Sequence, residues 1–431
     1  ALWMIIWWLS EAVPFAVTAL IPLILYPATG LMSLDQASES YSNSIIFLFL
    51  GGFLLATLIE KWKLHIRVSI SILKITGNKA EHILLGFMLS TALLSMWISN
   101  TATAVMMTAI AAPLLNSKDK NDLESDFGRA VLLSIATGAS IGGIATIIGT
   151  PPNAFLIAFS RKTLGTEIGF LNWLFACFPL MLVLLASAYF IYTKISFRKA
   201  FKANLKINLS TLHLEQKPMS GDEKKVALIF GLTALLWILR EPLNYIFEKP
   251  WLDDTNIALA GGLIGFIIPA REKKPLLVWS DTEKLPWNIL LLFGGGLCLA
   301  AGLEVGGWIE NIKNFFNSLS HLDAYFTVII MCLLMLILTE LMSNIALVTI
   351  LVPLCLGLAE AQNMEFMYLA LPITLTASLG FMFPIGTPPN AIVFGTGMLK
   401  IKHMAKAGFW LDLMGLIWII IFARFWFPLF F

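Results

Sequence analysis

The heptapeptide Ile-Gly-Thr-Pro-Pro-Asn-Ala occurs twice in this chain, over 148–154 and 385–391. Each copy has an asparagine-centred partner upstream, Ser99-Asn100-Thr101 in the first half and Ser343-Asn344-Ile345 in the second. Both motifs lie inside long apolar stretches, where a double proline interrupts a helix and frees its carbonyls. A polar interruption at membrane depth is tolerated only where it lines a cavity or is buried in protein. Two such interruptions at matching places in two halves point to the binding site of a secondary transporter.

The composition agrees. Of 431 residues, 58% are hydrophobic and 13% charged, with mean hydropathy +0.82; soluble domains carry roughly 25% charged residues. The charges concentrate between apolar blocks, which predicts an all-α polytopic membrane protein. A net charge of +2 offers nothing to nucleic acid. Cys177, Cys298, Cys332 and Cys355 are scattered through apolar segments and read as small hydrophobes, with neither disulfide nor metal-site spacing. The chain opens at Ala1-Leu2-Trp3, inside an apolar run and without methionine, so a segment ahead of it is expected.

A single crossing needs about 20 apolar residues, and the apolar segments 82–115 and 324–358 are too long for one. Each holds its Ser-Asn pair near the middle, which predicts two re-entrant helical hairpins with polar tips; a plain helix pair, bonded to a neighbour through Ser and Asn, is the alternative. The halves align further. Phe49-Leu50-Gly51-Gly52 matches Leu292-Phe293-Gly294-Gly295, and each leads to a glutamate, Glu60 or Glu304. The glycines read as close helix packing. Amphipathic stretches follow, with Lys63 and Gly306 at equivalent places; the first is lysine-rich and the second is not. Equivalent elements then face opposite sides of the membrane, which makes the repeat inverted.

The stretch between the halves carries Lys194, Arg198, Lys199, Lys202, Lys206, Lys217, Lys224 and Lys225, so it is expected in the cytoplasm. Lys400, Lys402 and Lys406 mark another inner loop, leaving the C-terminus outside. Glu241, Glu248, Asp253 and Asp254 mark an outer loop, and Arg161 and Lys162 dissent by falling outside. Glu11, beside Pro14, reads as a capping or interfacial residue. Trp3, Trp7, Trp8, Trp410, Trp418 and Trp426 read as interface or lipid-facing residues.

Broken helices turn N-terminal amides toward anions and C-terminal carbonyls toward cations. Na+ wants hard oxygen ligands. Ser95, Ser99 and Asn100, with the backbone near Gly149, supply them in the first half; Thr339 and Asn344, with the backbone near Met342 and Gly386, supply them in the second. The spacing of Ser95 and Ser99 places both hydroxyls on one helical face, although such hydroxyls commonly bond the carbonyl four residues back. Asn100, Thr101, Thr150, Asn344 and Thr387 are candidate donors to substrate oxygens. Neither motif contains Arg or Lys, so a dianion would depend on helix ends, hydroxyls, amides and the bound cation.

These motifs resemble the divalent anion:sodium symporter family, which includes sodium-coupled dicarboxylate and citrate carriers. The resemblance rests on Trp7-Trp8-Leu9-Ser10-Glu11-Ala12-Val13-Pro14, Ser99-Asn100-Thr101-Ala102-Thr103, Gly149-Thr150-Pro151-Pro152-Asn153-Ala154, Thr339-Glu340-Leu341-Met342-Ser343-Asn344 and Thr387-Pro388-Pro389-Asn390-Ala391-Ile392-Val393-Phe394. It implies a homodimer in a bacterial inner or plasma membrane, with a scaffold (1–81 and 226–322), a cytoplasmic linker (195–225) and an elevator-type transport domain (82–194 and 323–431). It implies two Na+ sites, on Ser95, Ser99, Asn100 and Gly149 and on Thr339, Met342, Asn344 and Gly386. Its substrate contacts fall on Asn100, Thr101, Thr150, Asn344, Thr387 and Pro388. The implied substrate is a C4 dicarboxylate such as succinate, malate or fumarate; a sodium-independent exchanger or a citrate carrier of the same fold is the alternative. Ile345 departs from the family, whose dicarboxylate members often have threonine there, and so removes a hydroxyl from the presumed pocket. An ion channel fits the two-halved pattern less well, and no Ser/His pairing or zinc-ligand spacing supports an enzyme.

Overall fold

The computed structural model describes residues 2–10, 12–115, 122–202, 218–248, 251–271, 274–317 and 323–431. Glu11, Lys206 and Lys217, singled out above, lie outside them. The first half contains α1 (Leu2–Ser10), α2 (Phe15–Ala19), α3 (Ile21–Thr29), α4 (Leu34–Glu39), α5 (Ser44–Lys61), α6 (Leu64–Thr76), α7 (Ala80–Ser95), α8 (Asn100–Leu115), α9 (Asp122–Ile144), α10 (Pro151–Leu164), α11 (Phe170–Phe190) and α12 (Arg198–Lys202). The second contains α13 (Gly221–Ile246), α14 (Asp254–Ile267), α15 (Trp287–Val305), α16 (Trp308–Asn317), α17 (Ala324–Thr339), α18 (Asn344–Ala361), α19 (Phe366–Thr376), α20 (Pro388–Phe394) and α21 (Ile401–Phe425). Among the described residues, seven helical stretches are long and apolar enough to cross a membrane. The 26 residues of α13 reach about 39 Å at 1.5 Å per residue. Its Leu228, Leu232 and Leu235 are exposed, an apolar outer face that suits hydrocarbon and not water.

The repeat is visible element by element. The register that lays Asn100 on Asn344 also lays Ala80 on Ala324 and Ser95 on Thr339, so α7 and α17 start and stop at equivalent residues. It lays Phe49 on Phe293 and Gly51 on Gly295, which shifts the sequence alignment of the glycine runs by one residue. It also lays Lys63 on Gly307. Both adopt left-handed backbone, with φ of 57° and 71°, and each begins the connector helix that follows. Gly307, not Gly306, is therefore the counterpart of Lys63. The sequence comparison missed this because lysine rarely occupies that conformation.

The glycines pack helices, as expected, and they do so crosswise. A Cβ on Gly51 of α5 would collide with the backbone of Ala258 in α14, and one on Gly295 of α15 with Ala19 in α2. Each half's glycine helix is thus packed by a helix of the other half. The same exchange continues inward, where α10 packs on α18 and α20 packs on α8 and α9. Both hairpin tips and both proline-led helices therefore meet in one region.

Several peripheral readings change. Trp8 is buried, donating from Nε1 to the Phe15 carbonyl at 3.2 Å, so it anchors α1 and does not face lipid. Trp3 is half exposed, as an interface residue would be. Arg161 and Lys162 lie in the last turn of α10, where cations suit the helix dipole. Arg161 pairs with Glu167 at 2.9 Å, and Lys162 donates to Ser40 Oγ at 2.6 Å. Charges already engaged in this way report little about sidedness. The four cysteines are all fully buried in apolar clusters.

Candidate functional site

Each hairpin turns where its polar motif predicted. Ser95 is the last residue of α7 and Asn100 the first of α8. Ser99 lies beyond the turn, and its Oγ accepts the Ala102 amide at 3.3 Å, capping α8. The expectation that Ser95 and Ser99 share one helical face is therefore corrected, because the helix stops between them.

One atom of the Asn100 carboxamide faces three oxygens: Ser95 Oγ at 2.5 Å, Ala139 O at 3.1 Å and Gly149 O at 3.2 Å. As nitrogen, that atom satisfies both carbonyls. The oxygens it draws together, Ser95 Oγ and the Ala139 and Gly149 carbonyls, are hard ligands of the kind Na+ takes. In the second half, Thr339 Oγ1 lies 2.8 Å from Asn344 Oδ1 and 2.7 Å from Ala377 O. A hydroxyl has one proton, so Thr339 donates to only one of these two oxygens at a time. Ser95 and Thr339 are completely buried, while Asn100 and Asn344 are partly exposed.

The glycines of the two heptapeptides guard these oxygens. A Cβ on Gly149 would lie 2.5 Å from Gly143 O, and one on Gly386 would lie 3.1 Å from Gly380 O. Space that a methyl group would fill is left to carbonyl oxygen in both halves. This lining of hydroxyl, amide and carbonyl oxygens has the hard-ligand chemistry that Na+ takes.

The prolines act by starting helices. Pro151-Pro152 and Pro388-Pro389 occupy the first helical positions of α10 and α20, where their missing N–H groups are tolerated. Those helices consequently supply few first-turn donors. The first-turn amides belong to α8 and α18, which begin at Asn100 and Asn344. Thr150 and Thr387 are buried at the N-caps of α10 and α20; Thr387 Oγ1 accepts the Asn390 amide at 3.4 Å. Pro388 and Thr101 are exposed. Met342 lies in the second tip turn, its amide bonded to Leu338 O at 3.0 Å. Ile345 packs against a cluster of Met4, Trp8, Ala19, Leu292, Leu299 and Ala346. Its side chain is partly buried and takes part in that packing.

Two residues given no role by the sequence reading hold the breaks open. Asn153 Nδ2 donates to Thr146 O at 2.9 Å and Gly143 O at 3.1 Å. Asn390 Nδ2 donates to Gly380 O and Phe383 O, both at 2.9 Å. These are carbonyls released where α9 and α19 end, and buried carbonyls need donors. Both asparagines are the sixth residue of the repeated heptapeptide, so the repeat itself was their signal. Thr146 Oγ1 also donates to Met96 O at 2.5 Å, fastening the first break to its hairpin tip.

The family profile described as the sodium:sulfate symporter transmembrane region matches residues 1–431, the whole chain. The chain belongs to this divalent anion:sodium symporter family. A family member from Staphylococcus saprophyticus, the sodium-dependent dicarboxylate transporter SdcS, is 37% identical over 447 residues, covering 99% of this chain and 85% of the relative. SdcS of Staphylococcus aureus USA300 is 36% identical over 439 residues, covering 97% and 83%. Among solved structures, the YdaH transporter of Alcanivorax borkumensis superposes with a TM-score of 0.63 at 13% identity, over 94% of this chain and 89% of that one. That likeness concerns the fold. The protein is a multi-pass membrane transporter and not an enzyme.

Proposed function

We propose that this symporter carries C4 dicarboxylates such as succinate, malate or fumarate across a bacterial plasma membrane together with Na+. The observation that carries the reading is the pair of buried oxygen clusters around Asn100 and Asn344. The names of the staphylococcal relatives support both the ion and the substrate class. One Na+ is assigned to Ser95, Ser99, Asn100 and the Gly149 carbonyl. A second is assigned to Thr339, Asn344 and the carbonyls of Met342 and Gly386. The dicarboxylate lies between, taking hydrogen bonds from Asn100, Thr101, Thr150, Asn344 and Thr387 and packing on Pro388. With no Arg or Lys in either motif, the two bound cations supply the positive charge that two carboxylates need, which makes binding of the ions obligatory.

Segments 82–194 and 323–431, which contain both tips and both breaks, form the moving domain of an elevator. Segments 1–81 and 226–322 form a scaffold that pairs with a second copy, the linker 195–225 is cytoplasmic and the C-terminus is outside. The crosswise packing of α10 on α18 and α20 on α8 supports movement of the site as one body.

Uptake of labelled succinate into proteoliposomes tests the reading. Replacing Na+ by choline stops uptake, and Asn100→Ala and Asn344→Ala each raise the Na+ concentration for half-activation about ten- to a hundredfold, the equivalent of roughly 1.5–3 kcal/mol for a lost contact to a charge. Uptake indifferent to choline but stimulated by internal dicarboxylate identifies an exchanger instead.

A further inference from the structure

The two breaks differ in length and in what holds them. α9 stays helical to Ile144, so the first break runs from Ala145 to Thr150. α19 ends at Thr376, and the second runs from Ala377 to Thr387. The extra turn releases backbone amides as well as carbonyls, and Gly380 within it requires left-handed backbone at φ 77°. Two buried carboxyl groups take up those amides. Asp412 Oδ1 accepts from Gly380 at 3.2 Å and Phe381 at 3.3 Å. Glu340 accepts from Met382 at 3.2 Å through both oxygens. Gly408, one turn before Asp412 on α21, lets that helix approach; a Cβ there would lie 2.5 Å from the Phe381 carbonyl oxygen.

The first half lacks this arrangement. Met96 stands where Glu340 stands in the second hairpin, and α11 reaches the first break with a donor, Trp173 Nε1, bonded to Ile144 O at 3.1 Å. The first break is therefore held by donors alone, while the second is held by the donors Asn390 and Thr339 and by two acceptors.

We propose that Asp412 is a positioning residue for the second cation site: by fixing the Gly380 and Phe381 amides it holds the turn whose Ala377 carbonyl meets Thr339 Oγ1 and whose Gly380 carbonyl lies against Gly386, so that Thr339, Asn344 and the Met342 and Gly386 carbonyls stay in place around one ion. This rests on the sodium-coupled reading above and goes beyond it, because it makes the two sites unequal in construction. Asp412→Ala removes the acceptor and loosens only the second break.

The test measures succinate uptake by purified protein in proteoliposomes as a function of Na+, and in parallel the rise in melting temperature that Na+ produces in detergent. For Asp412→Ala, half-activation shifts about tenfold upward and the Na+-induced stabilisation moves by the same factor, while KM for succinate at saturating Na+ changes less than threefold. Asp412→Asn, which keeps an accepting oxygen, recovers most of the Na+ affinity. Asp412→Ser, polar but too short to reach the amides, carries the test if the alanine variant is not recovered folded, with the same tenfold shift expected. A lower maximal rate with unshifted half-activation in Ala or Ser overturns the proposal, as does an asparagine variant as impaired as alanine. A wild-type protein without any Na+ response defeats the coupling reading and this inference together; a responsive wild type with unshifted variants defeats this inference alone.

Discussion

The rings of Phe49 and Phe293 meet edge to face, 5.1 Å between centroids at an interplanar angle of 79°. They are the same residue of the two repeats, and both are buried. Equivalent residues touch only where a two-fold relation between the halves passes through them. An aromatic pair of this geometry contributes about 0.5–1.5 kcal/mol beyond its burial. Its larger consequence is register: it fixes α5 against α15, and with them the crosswise contacts of Gly51 with Ala258 and Gly295 with Ala19.

The repeat makes a topological prediction at two exposed helix caps. Lys79 precedes α7 and Asp323 precedes α17 at equivalent positions. With the four native cysteines replaced, Lys79→Cys and Asp323→Cys are labelled by an impermeant maleimide from opposite sides of sealed, oriented vesicles. Labelling of both from one side would falsify the inversion.

The glycines at the two proposed cation sites should not be equally sensitive. A methyl at position 149 meets the Gly143 carbonyl oxygen at 2.5 Å, which backbone cannot yield cheaply, whereas at position 386 the gap to Gly380 O is 3.1 Å. Gly149→Ala therefore abolishes Na+-dependent uptake, and Gly386→Ala retains a measurable fraction with a raised Na+ requirement. Equal loss in both, at equal expression, contradicts the geometry.

The asparagines that clamp the breaks report on stability. Asn153→Leu and Asn390→Leu leave buried carbonyls without donors, at about 1–3 kcal/mol each. Both variants melt below the wild type in detergent. An unchanged melting temperature in either means that its carbonyls find other donors.

Ile345 distinguishes packing from recognition. Because its partly buried side chain rests on the Trp8 and Leu292 cluster, Ile345→Thr costs up to about 1 kcal/mol of stability, less than trimming a fully buried isoleucine can. The competition order among succinate, malate, 2-oxoglutarate and citrate stays as in wild type. A selective gain for the compact dicarboxylates places position 345 in the pocket after all.

Much of this architecture was legible before folding. A polar motif inside an apolar run has few physical solutions, so the Ser-Asn turns at Ser99-Asn100 and Ser343-Asn344 and the helix starts at Pro151 and Pro388 are dictated locally, by capping and by proline's missing N–H. Their duplication is a property of the covalent chain, and so was the two-halved plan. The tertiary structure alone decided which residues are true counterparts. Lys63 shares the left-handed backbone of Gly307 although no propensity suggests it, and the register that matches the hairpins does not match the breaks, since Asn153 corresponds to Asn390 through a different spacing. The helix exchange between halves and the reach of Asp412 to the Gly380 and Phe381 amides were likewise invisible along the chain. They are contacts between segments far apart in sequence, chosen by which buried backbone groups remain unpaired once the helices have packed.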